Sequence, residues 1–221
     1  MDKILNEIEK RLSDLSISTN GDKSINEEDL GSIEQRYEIS FPEVYKQFLL
    51  RYGNFTFEQE IRFRTIEKTP WSQDDNLESF SSFFVLSDES NNLEKKIEQY
   101  YDRIPTSVLP IADDSAGNLI CIGVRGNYQG KIYFWDHENE WVAKVMLKEE
   151  VQGITSIDDY WENLYLVADS FIDFIRSLEI KKEEEVEDIN SKIIGIHMSN
   201  DFMEKMRLAR ERVKIKEKRE K

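Results

Sequence analysis

The stretch that most constrains the fold runs from Arg103 to Glu140, RIPTSVLPIADDSAGNLICIGVRGNYQGKIYFWDHENE. Val108-Leu109-Pro110-Ile111 is short and apolar, and Asp113-Asp114-Ser115-Ala116-Gly117-Asn118 is a run of turn formers that sends it back. Leu119 to Val124 is almost wholly apolar and rich in β-branched residues. Arg125 to Gly130 makes a second turn, and Lys131-Ile132-Tyr133-Phe134-Trp135 a third strand. Asp136-His137-Glu138-Asn139-Glu140 is expected to open a further hairpin, with Trp141 to Met146 pairing back onto the third strand. Runs this short between Gly, Asn and Asp clusters predict a β-meander. Their apolar content predicts an interior sheet covered on one face or both.

Helical spacing dominates the residues before it. Ile4, Leu5, Ile8, Leu12 and Leu15 form a narrow apolar stripe over 2–16. Ser16 to Lys23 is a turn-rich break. Asn26 then fits an N-cap, with acids behind it and Leu30, Ile33 and Tyr37 facing inward. Pro42 suits a first helical position, so a helix over Pro42–Tyr52 is predicted to bury Val44, Tyr45, Phe48 and Leu49 and to end at Gly53. Phe57, Ile61, Phe63 and Thr65 alternate as a strand does. Glu67 to Glu78 reads as a surface loop carrying Trp71, and Phe80 with Phe83–Leu86 as an aromatic strand. Asn92 and its neighbours can cap a helix over Leu93–Tyr101.

After the meander, a helix is expected to start at Ser156 or Asp158 and run to Leu178, broken near Ala168-Asp169-Ser170. The fold class is therefore α+β: N-terminal helices on a central antiparallel sheet with a closing C-terminal helix. The domain spans 1–180. Residues 181–221 are expected to form a charged extension, with a short edge strand over 189–198 and a basic tail from Asp201 that is helical or disordered.

Charge narrows the functions. Thirty basic and 45 acidic residues give a net −15, which repels nucleic acid and anionic membranes and attracts basic partners. Cys121, the sole cysteine, lies in an apolar strand and has no partner for a disulfide. No apolar run reaches the roughly 20 residues of a membrane helix, and the charged amphipathic N-terminus has no signal-peptide core, so a cytoplasmic location is expected.

Catalytic and metal chemistry find little support. The two histidines and one cysteine lack the spacing of a metal site, and no cofactor is expected. A hydrolase built on Asp113, Asp114 and His137 is outweighed by turn chemistry at all three. The Asp113–Asn118 run lacks the alternating oxygens and final Glu of a calcium loop; Gly117 or Asn118 supplies a positive φ instead. Trp135 and Trp141 read as core or sheet cover. Trp71, among polar neighbours and near Asp74, Asp75 and Glu78, fits an interface anchor with an acidic rim.

Three blocks resemble the SUKH superfamily, which holds bacterial immunity proteins and a fungal cell-wall-assembly regulator. They are Ile25–Gly53 with the elbow Ile39-Ser40-Phe41-Pro42; Arg103 to Glu138 with Leu109-Pro110-Ile111-Ala112, Gly117-Asn118, Gly130 and Tyr133-Phe134-Trp135-Asp136; and Val167–Phe171 with Phe174 and Leu178. The resemblance covers about residues 20–180. It departs at Tyr52-Gly53-Asn54-Phe55, where the family commonly has Asn-Gly-Gly.

The resemblance implies a non-catalytic immunity protein that binds and neutralises a cognate bacterial toxin in the producer's cytoplasm, a nuclease being the expected class. The partner is then a toxin domain with a basic surface, with no direct contact to nucleic acid or membrane. The candidate partner-binding residues are Trp71, Asp74, Asp75, Glu78, Asp113, Asp114, Asp136, Glu138 and Glu140, all on predicted loops. The alternative is an intracellular regulatory or scaffolding adaptor of the same fold.

Overall fold

The computed structural model describes residues 1–19, 26–52, 55–72, 75–86 and 91–181. The first apolar stripe becomes helix α1 (Asp2–Asp14), which buries Leu5, Ile8 and Leu12. Ser16 turns left-handed at φ 56°, and a strand follows at once, β1 (Ile17–Thr19), where the sequence suggests only a break. Helix α2 (Glu27–Tyr37) starts at Asn26 in a reciprocal cap: Asn26 accepts from the Asp29 amide at 2.9 Å, and Asp29 accepts from the Asn26 amide at 3.2 Å.

The elbow after α2 is held by Glu34. Its carboxylate accepts from the Phe41 amide at 2.8 Å and from Lys46 Nζ at 2.9 Å, which ties the start of helix α3 (Glu43–Tyr52) to α2. Pro42 stands just ahead of the helix. Tyr45, Phe48 and Leu49 are buried as expected, with Val44 half-buried. The cap expected at Gly53 lies outside the described residues.

The alternating segment divides into β2 (Phe55–Phe57), which pairs with β1, and β3 (Ile61–Arg64), which pairs with β4 (Leu77–Phe80). A two-residue strand, β5 (Ser82–Phe83), and helix α4 (Leu93–Tyr100) capped by Asn92 come next. The expected meander is present as β6 (Val108–Asp113), β7 (Leu119–Gly123) and β8 (Ile132–Trp135), all antiparallel.

Two later expectations are overturned. The segment expected to pair back as a hairpin is helix α5 (Glu140–Lys148). Val142, Ala143, Met146 and Leu147 fall on one face of a helix, and Glu140 bridges to Lys144 one turn on at 2.7 Å. The long helix expected over Ser156–Leu178 is instead a 3-10 turn at Ile157–Asp159, strand β9 (Leu164–Ala168) and helix α6 (Phe171–Ser177). Leu164–Ala168 is an apolar run of strand length, and pairing with β8 decides its state. Ser170 caps α6 by accepting from the Asp173 amide at 3.2 Å. Strand β10 (Glu179–Ile180) then pairs with β3.

The central sheet has the order β5-β6-β7-β8-β9. Its hydrogen bonding does not stop at the outer strands. Beyond β3, the Ile66 and Glu67 amides donate to Val167 and Leu166 of β9 at 3.3 and 2.9 Å. Past β4, the Ser81 and Phe84 amides donate to Asp113 and Ile111 of β6 at 2.9 and 2.8 Å. The ladder therefore runs full circle through the β3–β4 hairpin. Aromatic rings fill the space between it and α3 and α6: Phe48 meets Phe83 and Phe171 at 5.0 and 4.9 Å, and Phe63 meets Phe174 at 5.5 Å. The closing helix is thus α6, and the architecture is α+β.

Met1–Lys181 forms one compact unit. The linker, edge strand and tail expected beyond it lie outside the described residues. Among the described residues, no helix is long and apolar enough to cross a membrane. Cys121 is fully buried, and burial pushes its thiol far above the usual range, which makes it unreactive.

Gly123 shows how tightly the meander is closed. Its amide donates to Lys131 and its carbonyl accepts from Gly130, so the Arg125–Gly130 turn folds over it. A Cβ there would lie 1.8 Å from the Tyr128 carbonyl oxygen. Gly123→Ala is expected to destabilise the protein by at least about 2 kcal/mol, read as a lower urea midpoint at unchanged slope.

Candidate functional site

The loop after β3 is knotted by its own side chains. Thr69 is buried; its amide donates to Ser72 Oγ at 2.8 Å, and its hydroxyl accepts from the Trp71 and Ser72 amides at 3.1 and 3.0 Å. The same hydroxyl donates to Glu78. The knot presents the Trp71 ring to solvent, 46% exposed, while its indole N–H reaches Asp136 Oδ1 at 2.9 Å.

Asp136 is 1% exposed. Besides Trp71 it accepts from the Glu138 amide at 3.1 Å and from Asn139 Nδ2 at 2.5 Å. It starts the turn into α5 and is closed off from solvent. Asp114 is also buried: Oδ1 accepts from the Ala116 and Asn118 amides, both at 2.8 Å, and Oδ2 from Asn118 Nδ2 at 2.7 Å. With Gly117 at φ 97°, this is the turn predicted for the run. Asn118 Oδ1 accepts from the His137 amide at 3.1 Å and lies 2.8 Å from Nδ1, so the imidazole carries a proton on that nitrogen. His137 joins two turns.

Glu78 is on β4, not on a loop, and is 5% exposed opposite Phe63. Burial pushes its carboxyl above the ordinary range; the Thr69 and Ser72 hydroxyls pull it back, while Asp114 and Asp75 add to the rise. Asp113, half-buried at the end of β6, is raised by burial too. Glu140 opens α5 and is clamped by Arg103 through Nε and Nη2 at 2.7 and 2.6 Å, with Lys144 on the other side. The Arg103 fork holds this carboxyl below its usual range.

Eight of the nine candidates therefore separate into three groups. Trp71, Asp75 and Glu138 are exposed. Glu78, Asp114 and Asp136 are buried and bonded within the fold, and Asp113 and Glu140 are partly buried. Asp74 lies outside the described residues. Trp71, Glu78 and Asp114 share one wall system, a cleft of about 500 Å³ that Arg62, Ser79 and Asn118 also line. It opens beside the β3–β4 hairpin and the β6–β7 turn. Among the described residues, no group of three or more His, Cys, Asp or Glu is arranged to hold a metal.

The surface that the sequence reading misses is the outer face of α5. Trp141, expected to be core or sheet cover, is 65% exposed and Val145 45%. The signal is present in Glu140-Trp141-Val142-Ala143-Lys144-Val145-Met146-Leu147: once the inward residues take one helical face, Trp141 and Val145 are left outside.

Comparison with known proteins adds two findings. The SUKH_6 family model, described as SMI1-KNR4 cell-wall, matches residues 27–146, over half of the chain. The SPbeta prophage-derived uncharacterized protein YokK of Bacillus subtilis (strain 168) is 29% identical over 207 residues, covering 89% of this chain and 96% of that protein.

Two substitutions test the buried acids. Because the folded protein holds the Glu78 proton more tightly than the unfolded chain, that contribution is complete below its ordinary value of 4.5 and is lost as pH rises above it. Glu78→Gln is expected to gain in melting temperature relative to wild type as pH increases from 4 upward; a pH-independent difference would contradict the assignment. Trp71→Phe keeps the ring and removes the donor to Asp136. It is expected to lower stability by about 1–2 kcal/mol in urea titration.

Proposed function

The chain belongs to the SUKH_6 family, SMI1-KNR4 cell-wall, and on that premise we propose that it is a non-catalytic immunity protein that binds and neutralises a cognate toxin. The toxin is of the nuclease class, and binding takes place in the cytoplasm without a cofactor. The carrying observation is the excess of carboxylates: residues 1–181 hold 35 acids against 19 Lys and Arg, a net −16. Surfaces that grip phosphates are basic, so an acidic protein complements a nuclease and competes with its substrate. The similar B. subtilis protein is prophage-derived, and mobile elements are a setting in which a toxin and its antidote are inherited together.

The family description favours a second reading, a regulatory adaptor that holds a cellular protein without any toxin. A stable endogenous complex, from a locus with no toxin gene beside it, would support that reading over the first.

Co-expression with the toxin encoded beside the gene is expected to restore growth, and purified chain to abolish the toxin's nuclease activity at equimolar ratio. Association is expected to slow about tenfold or more between low and physiological salt. Failure of every neighbouring toxin to be neutralised would sink the immunity reading.

A further inference from the structure

Helix α5 has apolar residues on two sides. Its inner side packs through Ala143 against Ile154 and Tyr160, a small cluster separate from the main core, with Val142, Met146, Leu147 and Ile157 around it. Its outer side carries Trp141 and Val145, one turn apart and 65% and 45% exposed, and Val151 just beyond the helix is 38% exposed. Trp141 is the most exposed large hydrophobic side chain among the described residues.

Carboxylates outnumber cations around this stripe, with Lys144 and Lys148 the exposed cations on the helix itself. From Asp136 to Glu162 the chain has eight carboxylates and two lysines, and one of those lysines, Lys144, is bound to Glu140 at 2.7 Å. Glu138, Glu149 and Glu150 are exposed. The turn that carries Glu150 and Val151 is fixed in left-handed geometry at Glu150, Gln152 and Gly153, with φ of 48°, 55° and 80°.

We infer that this outer face of α5 is the docking surface, and that it takes a basic protein whose cations surround an apolar recess for Trp141. The inference rests on the binding-protein reading and names its site. A large aromatic anchor inside a charged rim is the arrangement that carries most of the energy in protein interfaces. The rim selects the occupant. A second copy of this chain would oppose carboxylates with carboxylates, and nucleic acid or an anionic membrane would be repelled in the same way. A Lys- and Arg-rich protein surface is attracted. Because α5 is joined to the domain through its own small cluster, Trp141 contributes to recognition with little role in the main core.

The test uses the full chain and, as probe, the protein encoded beside its gene, in catalytically inactive form. Trp141→Ala with Val145→Ser is expected to raise Kd roughly 30-fold or more with circular dichroism and melting temperature unchanged. Glu149→Lys with Glu150→Lys is expected to slow association about tenfold at low salt and to lose that effect at 0.5 M salt. Hydrogen exchange on the wild-type complex gives a readout that does not depend on any variant folding: amides of 140–151 are expected to gain protection. A wild-type complex that protects other segments only, or a Trp141/Val145 variant that binds within twofold of wild type, overturns the surface and leaves the binding reading standing. If no neighbour-encoded protein binds the wild type, both fall.

Discussion

A sheet of five strands has two edges, and each edge leaves a row of amides and carbonyls that must find partners or meet water. Here a single hairpin deals with both. Its first arm continues past Arg64 to donate from Ile66 and Glu67 into β9, and its second arm continues through Ser81 into β6. Phe63 and Phe80 sit on these arms and meet rings from α6 and β8. Sheet closure and core packing are therefore properties of the same few residues. Helix α6 covers the hairpin's aromatic face, and α1 and α3 pack against α6.

The buried acidic residues stand where that closure leaves loose ends. Three connections meet beside the hairpin: the loop around Thr69, the β6–β7 turn and the exit from β8. Each is stabilised by a carboxylate or amide that collects nearby donors, as Asp114 does for its own turn and Asp136 does for the Trp71 loop. Asn118 then joins two of the connections through His137. A carboxylate with three donors is a structural joint. Its charge is already satisfied, and it has little left to offer another molecule.

Much of this was legible in the sequence, for identifiable reasons. The meander shows because Gly117, Asn118 and Gly130 punctuate runs too short for helices, and α2 shows because Asn26 fits an N-cap with acids in the first turn behind it. Misreadings arise where an apolar run supports two periods. Leu164–Ala168 has the length of a strand inside a longer helical pattern, and its pairing with β8 is not a local property. Trp141–Met146 is rich in valine and suggests a strand, while Ala143 and Met146 fit one side of a helix. The acidic candidates were visible as residue types. Which of them would be buried depended on donors from segments far away in the chain, as with the Trp71 indole, 65 residues from Asp136.

Trp135 and Leu164 are register partners on neighbouring strands. The 28 residues between them leave the ladder at one rung and rejoin it at the same rung. Changing the length of such an excursion alters its closure entropy only logarithmically, and its helix rests on a cluster of its own. Its entry stays tied to the scaffold, through Asp136 to the Trp71 loop and through Glu140 to Arg103, while the helix beyond projects from that fixed rung.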